Sequence, residues 1–259
     1  MSTTVLAAIV FVVVWAALAV FGFRLALRIR PRAQDDAHND VHAVYFSMVG
    51  LLYAILLAFV VVVAWEQFNA AEESTHTEVT RLSNLWRDAE PLPSTDKDRI
   101  QNALVVYVQN VINREYDAMA DGESDDPTTE AYEAIWRGFY DTPIDEADGT
   151  AASFYDTAVG RLNELGEARR LRVLSSQSTI PLPLWVLLVG GGIFTIAWLF
   201  PFYMANTKIQ TWALGTVGAF TGFVLFLIYA LQHPFAGDIA IDPGVYQSLL
   251  DGWLKQLAQ

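Results

Sequence analysis

Read as apolar and polar positions alone, the chain alternates between long uncharged runs and amphipathic stretches. Four runs contain no Asp, Glu, Lys, Arg or His: Thr4–Phe23, Ala43–Trp65, Pro183–Met204 and Trp212–Leu231. A hydrocarbon core of about 30 Å takes about 20 apolar residues as helix, so each run predicts a membrane span. Pro201 is expected to kink the end of the third.

The second run does not stop at the bilayer. From Val44 to Ala89 there is no Pro, and no Gly after Gly50. Once charges begin at Glu66, the residues Phe68, Ala71, Thr75, Leu82, Leu85 and Ala89 keep an approximate seven-residue stripe. One long helix is predicted to cross the membrane and run on into water. Pro91 and Pro93 end it.

Three more amphipathic helices are predicted before the third span. Thr95, with Asp98 three residues on, reads as the cap of a helix carrying Ile100, Leu104, Tyr107, Val108, Val111, Ile112 and Met119 and ending near Gly122. Asp126 followed by Pro127 reads as the start of another, bearing Tyr132, Ile135, Trp136, Phe139 and Tyr140. A third carries Phe154, Ala158, Leu162 and Leu165. Such stripes bury against one another as a bundle. After the fourth span, Asp242-Pro243 opens a short helix with Tyr246, Leu249, Leu250, Trp253 and Leu257 on one face. It could lie along the membrane interface or dock on the bundle. No alternating strand pattern occurs.

The expected fold is therefore all-α: four transmembrane helices with an extramembrane helical bundle inserted between helices two and three. The expected boundaries are 1–65 for the first pair, 66–182 for the bundle, 183–231 for the second pair and 232–259 for the tail.

Composition sharpens this. With 53% hydrophobic and 17% charged residues, the chain is too apolar for an ordinary soluble domain. Its net charge of −13 is concentrated between Glu66 and Leu182, which hold 23 acidic and 10 basic residues. So acidic a domain would repel nucleic acid and anionic lipid. There is no cysteine, so thiolate and disulfide chemistry are excluded. The first run lacks a basic leading segment and is followed by Arg24, Arg28, Arg30 and Arg32, so it reads as a retained helix of a multi-pass inner-membrane protein. Those arginines favour a cytoplasmic first loop and an acidic domain on the outer face. Arg161, Arg169, Arg170 and Arg172, near the third span, pull the other way.

The uncharged spans argue against a proton-coupled carrier, since intramembrane ionisable residues are the mark of such relays. A passive pore that gates by width or wetting remains compatible. Gly218 and Gly222 have the spacing for close helix contact, either within one chain or between subunits. His38 and His42, four apart among Asp35, Asp36 and Asp40, form a weak candidate metal site. Arg169, Arg170 and Arg172 are the only dense basic patch of the acidic domain. They could pair with Glu164, Glu167 or Glu66, draw anions to an axis in an oligomer, or contact lipid phosphate. Nucleophile motifs, phosphate-binding glycine loops and HExxH are missing, so an enzyme is not expected.

Three motifs in order, YAILLAFVVVVAWEQFNAAEESTHTEV, the arginine pair before PLPLW, and HPFAGDIAIDPGVYQSLL, resemble the bacterial bestrophin-like membrane family of unassigned function. A remoter resemblance is to bestrophins, which are pentameric anion channels with four membrane helices and a cytosolic helical domain per subunit. In that family a Pro-Phe-Gly and acidic segment follows the last membrane helix and, in animal members, helps bind calcium. Here Pro234-Phe235-Ala236-Gly237-Asp238 is similar but has an extra alanine. The resemblance implies calcium at Asp238, with Asp242 displaced; no other cofactor is expected. No counterpart of the bestrophin pore-neck phenylalanines is found. Two functions follow. One is a homo-oligomeric, passive, anion-channel-like protein; the other is an envelope scaffold or sensor whose acidic bundle binds a protein partner of unknown identity.

Overall fold

A computed structural model describes residues 3–29, 36–143, 149–202, 204 and 206–258, and for 3, 36–39 and 149–154 the backbone alone. Among them there are helices and turns and no strand. The helices are α1 Thr3–Ile29, α2 Asp36–Asp88, α3 Ser94–Asn110, α4 Tyr116–Ala120, α5 Asp126–Tyr140, α6 Gly149–Gln177, α7 Leu182–Trp198, α8 Thr207–Leu231 and α9 Gly244–Leu257. A π turn, Val111–Glu115, joins α3 to α4. The chain divides into two compact units, 1–66 with 179–232 and 67–178 with 233–259. The first division falls inside α2, which runs unbroken for 53 residues as its Pro-free sequence requires.

In the first unit α1 lies antiparallel to α8. Gly218 meets Trp15 and Ala19, and Gly222 meets Phe11 and Trp15. A Cβ on Gly218 would lie 2.6 Å from the Trp15 carbonyl oxygen, and one on Gly222 would lie 2.7 Å from that of Phe11. The absent side chains are what let the two backbones approach. Between α2 and α7 the Tyr53 hydroxyl donates to the Leu188 carbonyl at 2.8 Å. Its ring occupies the space where side chains at Gly191 and Gly192 would stand. Trp15, Ala19, Val60, Leu188, Leu225 and Ile228 form the core.

By length and composition three helices, α1, α2 and α8, can cross a membrane. The 17-residue α7 makes a fourth candidate only when it is counted together with α6 before it. The third span was expected over Pro183–Met204, but α7 ends at Trp198 and Pro201 lies in the turn beyond. Pro201 therefore follows a helix end and kinks nothing, because the residue before a proline is disfavoured in α geometry.

The second unit is a bundle of the polar half of α2, α3 to α6, and α9. Leu82, Leu85, Ile100, Leu104, Ile135, Leu162 and Leu165 are fully buried in it. The tail docks here. Trp253 stacks on Trp86 with centroids 4.5 Å apart and planes 8° apart, and the Trp86 indole donates to Gln256 at 2.9 Å. Residues 233–259 thus belong with the bundle.

Two helix starts differ from expectation. α3 begins at Ser94 after Pro93, with no side-chain cap, so Thr95 lies inside the first turn. α5 is capped by Asp125, whose carboxylate accepts from the Thr128 N–H at 3.0 Å, so Asp126 is already helical. Arg114 binds the same carboxylate through two hydrogen bonds of 3.1 Å and holds its pKa below the ordinary carboxylate range. At the end of α4, Gly122 adopts φ +76°. The Gly122 N–H returns to the Met119 carbonyl and that of Glu123 to Ala118, which satisfies the last carbonyls.

Candidate functional site

Charged residues occupy core positions on three helices of the bundle. On α2 the buried stripe Ala71, Thr75, Leu82 and Leu85 contains Glu78. From α3 to α4 the stripe Leu104, Val108, Val111 and Met119 contains Glu115. On α6 the stripe Leu162, Leu165 and Ala168 continues into Arg172. The side chains of all three charged residues are fully buried.

They meet. The Arg172 Nε donates to Glu78 Oε2 at 2.7 Å, and its Nη2 donates to Glu78 Oε1 at 3.3 Å and to Glu115 Oε2 at 2.5 Å. The other Glu115 oxygen accepts from Arg169 Nη2 at 2.6 Å, and Arg169 also donates to the Thr129 hydroxyl at 3.0 Å. The Tyr107 hydroxyl donates to Glu78 at 2.5 Å. Two arginines and two glutamates leave no net charge, which is what a buried ionic set requires.

The π turn places Glu115. Its widened geometry lets the Tyr116 N–H reach back five residues to the Val111 carbonyl, and Val111, Glu115 and Tyr116 all turn inward. The rings of Tyr116 and Tyr246 lie 5.9 and 5.7 Å from the Arg172 guanidinium carbon. Tyr246, on α9, makes the tail part of this centre. Burial would lower the Arg172 pKa, but the Glu78 carboxylate, with Glu115, holds it well above the ordinary arginine value. Burial pushes the Tyr246 hydroxyl well up and that of Tyr116 up to about 12. The guanidinium and phenols therefore keep their protons at neutral pH.

This corrects the expected partners of the basic patch. Arg172 pairs with Glu78 and Glu115, not with Glu164, Glu167 or Glu66, and its burial removes it from any role in drawing anions or lipid. Arg169 is mostly buried on Glu115. Only Arg170 is exposed. Glu164 is bound instead by Arg81 at 3.0 Å, and Arg161 by Asp88. The one signal in the sequence was at Glu115, whose neighbours three and four residues away, Val111, Ile112, Ala118 and Met119, are all apolar; Glu78 and Arg172 have polar neighbours at those spacings and gave none.

The other sites stay apart from it. Gly218 and Gly222 pack against α1 of the same chain. His42 packs on the rings of Trp198 and Phe202, at 6.3 and 6.1 Å between centroids, and the side chain of His38 lies outside the described residues. In the tail, Gly237 turns the chain with φ +80° and Phe235 is buried against Tyr116. Asp242 accepts from the Gly244 N–H at 3.0 Å and starts α9. Among the described residues no three His, Cys, Asp or Glu side chains are grouped to hold a metal ion.

Comparison with known proteins places this geometry. The family model of the bestrophin-like domain matches residues 13–246. A solved structure of a bacterial bestrophin homologue from Klebsiella pneumoniae, in a variant form, is 15% identical over 100% of both chains with a TM-score of 0.71. A second variant of that homologue is 14% identical over 98% of this chain and 99% of its own, with a TM-score of 0.68. A structure described only as a membrane protein is 14% identical over 100% of both chains, with a TM-score of 0.69. No curated protein matches. At these identities the structures establish shared fold. With the family model spanning nearly all of the sequence, the chain belongs to the bestrophin-like family.

Proposed function

We propose that this protein is the subunit of a homo-oligomeric membrane channel that passes ions, anions foremost, down their gradient. The observation that carries the reading is the membrane half of α2. Its stretch from Ala43 to Trp65 has no Asp, Glu, Lys, Arg or His, and most of its large side chains, among them Met48, Leu52, Phe59 and Val62, are exposed in the single chain. Apolar helices of this kind around an axis would form a conduit with a hydrophobic constriction, which conducts when it widens and wets. Four spans complete the subunit, α7 serving as the short third: 17 residues reach about 26 Å, close to a bilayer core. The arginines that follow α1 support a reading with the acidic bundle on the outer face. Calcium at Asp238 has no support beyond the likeness of the tail segment and is not part of the proposal.

The test is the mass of the purified protein in mild detergent, followed by anion flux from liposomes. A strict monomer would overturn the pore, because one subunit cannot enclose a conduit. An oligomer without flux would point to a scaffold whose acidic bundle binds a protein. Labelling of a cysteine engineered at exposed Glu133 in intact cells, with an impermeant reagent, decides the sidedness. The native chain gives no background.

A further inference from the structure

One end of the first unit gathers cations at a single depth. The contacts of Gly222 with Phe11 and Trp15, Gly218 with Trp15 and Ala19, and Gly215 with Val20 set the antiparallel register of α1 and α8. Continued towards the start of α8, that register brings Lys208 level with Leu27 and Trp212 level with Phe23. Arg24, Arg28 and Lys208 then fall within roughly 6 Å along the helix axes, the rise of four residues. That is about the depth of one headgroup layer, since a bilayer core of about 30 Å grows to about 40–45 Å with both layers.

All three side chains are exposed, and among the described residues none makes an ion pair. Beside them Ile209, Trp212, Leu25 and Ile29 are exposed and apolar. Cations beside an exposed indole are the chemistry of a helix end seated at the phosphate level. Asp40 of α2 lies towards the same end, where His42 packs on Trp198 and Phe202, and it too is exposed without an ion pair among the described residues. It leaves this rim a cationic excess.

We propose that Arg24, Arg28 and Lys208 form a binding site for the phosphate headgroups of anionic phospholipids, with Trp212 fixing the depth. Each cation at such a surface contributes roughly a fivefold preference for anionic lipid, screened by salt. The site does not depend on whether the protein conducts.

The test uses the full-length protein reconstituted in vesicles of equal phosphatidylglycerol and phosphatidylcholine, extracted in mild detergent, with co-purifying lipid measured by mass spectrometry. The wild type is expected to retain the two lipids at a phosphatidylglycerol-to-phosphatidylcholine ratio at least about fivefold that of the bulk. R24Q/R28Q/K208Q is expected to fall to the bulk ratio, and R24K/R28K to keep the enrichment. Lipid held in bulk proportion by the wild type, or equal enrichment by the triple variant, would overturn the proposal. If the triple variant is not recovered folded, salt on the wild type decides: enrichment unchanged at high ionic strength sinks the site.

Discussion

Glu78 and Arg172 stand 94 positions apart in sequence, yet two hydrogen bonds of 2.7 and 3.3 Å join them and neither side chain reaches solvent. A pair so placed does more to select one arrangement of helices than to stabilise it. Two buried charges lose hydration worth several kcal/mol each, and their attraction returns this only in the right geometry. A bundle that slipped by one turn would leave Glu78, Glu115 and Arg172 buried without partners.

The first expectation is therefore that Arg172→Met destabilises the bundle by about 3–5 kcal/mol, because Glu78 loses its cation and Arg169 alone remains for two buried carboxylates. R172M/E78Q/E115Q, which removes the whole buried charge set except Arg169, should be less damaging than R172M alone. Thermal unfolding in detergent, followed by far-ultraviolet circular dichroism, orders the variants. Equal loss in both would contradict the charge argument.

The contact of α1 with α8 leads to a contrast among glycines. Gly218→Ala and Gly222→Ala would each drive a methyl group against a backbone carbonyl, which cannot move aside as a side chain could. Each is expected to cost about 1–3 kcal/mol, the usual range for overpacking. Gly190→Ala meets nothing within 4 Å and should leave the yield of monodisperse protein unchanged.

The docked tail makes a third expectation. Trp253→Ala removes one side of a parallel indole stack and opens the core, at a cost of about 3–5 kcal/mol. Proteolysis of the purified protein should then cut before α9 at enzyme levels that spare the wild type. Unchanged protection would mean that the stack contributes little.

Asp125 carries a dependence on acid. Arg114 is the chief cause of its lowered pKa, with help from Thr128. A group whose folded pKa lies below its unfolded value of about 3.9 contributes stability above that pH and loses it as pH falls through the folded value. The wild-type bundle should weaken below about pH 4, and Asp125→Asn, which keeps a capping oxygen but not the charge, should show a shallower decline. Asp125→Ala should cost about 0.5–2 kcal/mol at neutral pH through loss of the cap. Unfolding midpoints from pH 3 to 7 separate the two.

Helix caps are the feature least legible in this sequence. Asp125 and Asp126 are adjacent, and both precede Pro127 within reach of a first helical turn; only the Thr128 N–H, by pointing at one carboxylate, chooses between them. Thr95 and Asp98 have the right spacing for a capping box, but Pro93 takes the cap position and the helix begins at Ser94, two residues earlier than a Thr95 cap would start it.

What the sequence by itself determined is local: which stretches are apolar enough for a bilayer, where helices are amphipathic, and that α2 continues unbroken from one environment into the other. These follow from length, from the 3.6-residue period and from the absence of proline, none of which needs a distant partner. Tertiary structure decided where charge goes inward. Glu78, Glu115 and Arg172 look like surface residues one at a time, and only the packing of α2, the π turn and α6 brings them together with Arg169, so that the charges sum to zero out of reach of solvent. The same packing settled the tail, since the Leu and Trp face of α9 would suit a membrane interface equally until Trp86 and Arg172 offered it a surface to cover.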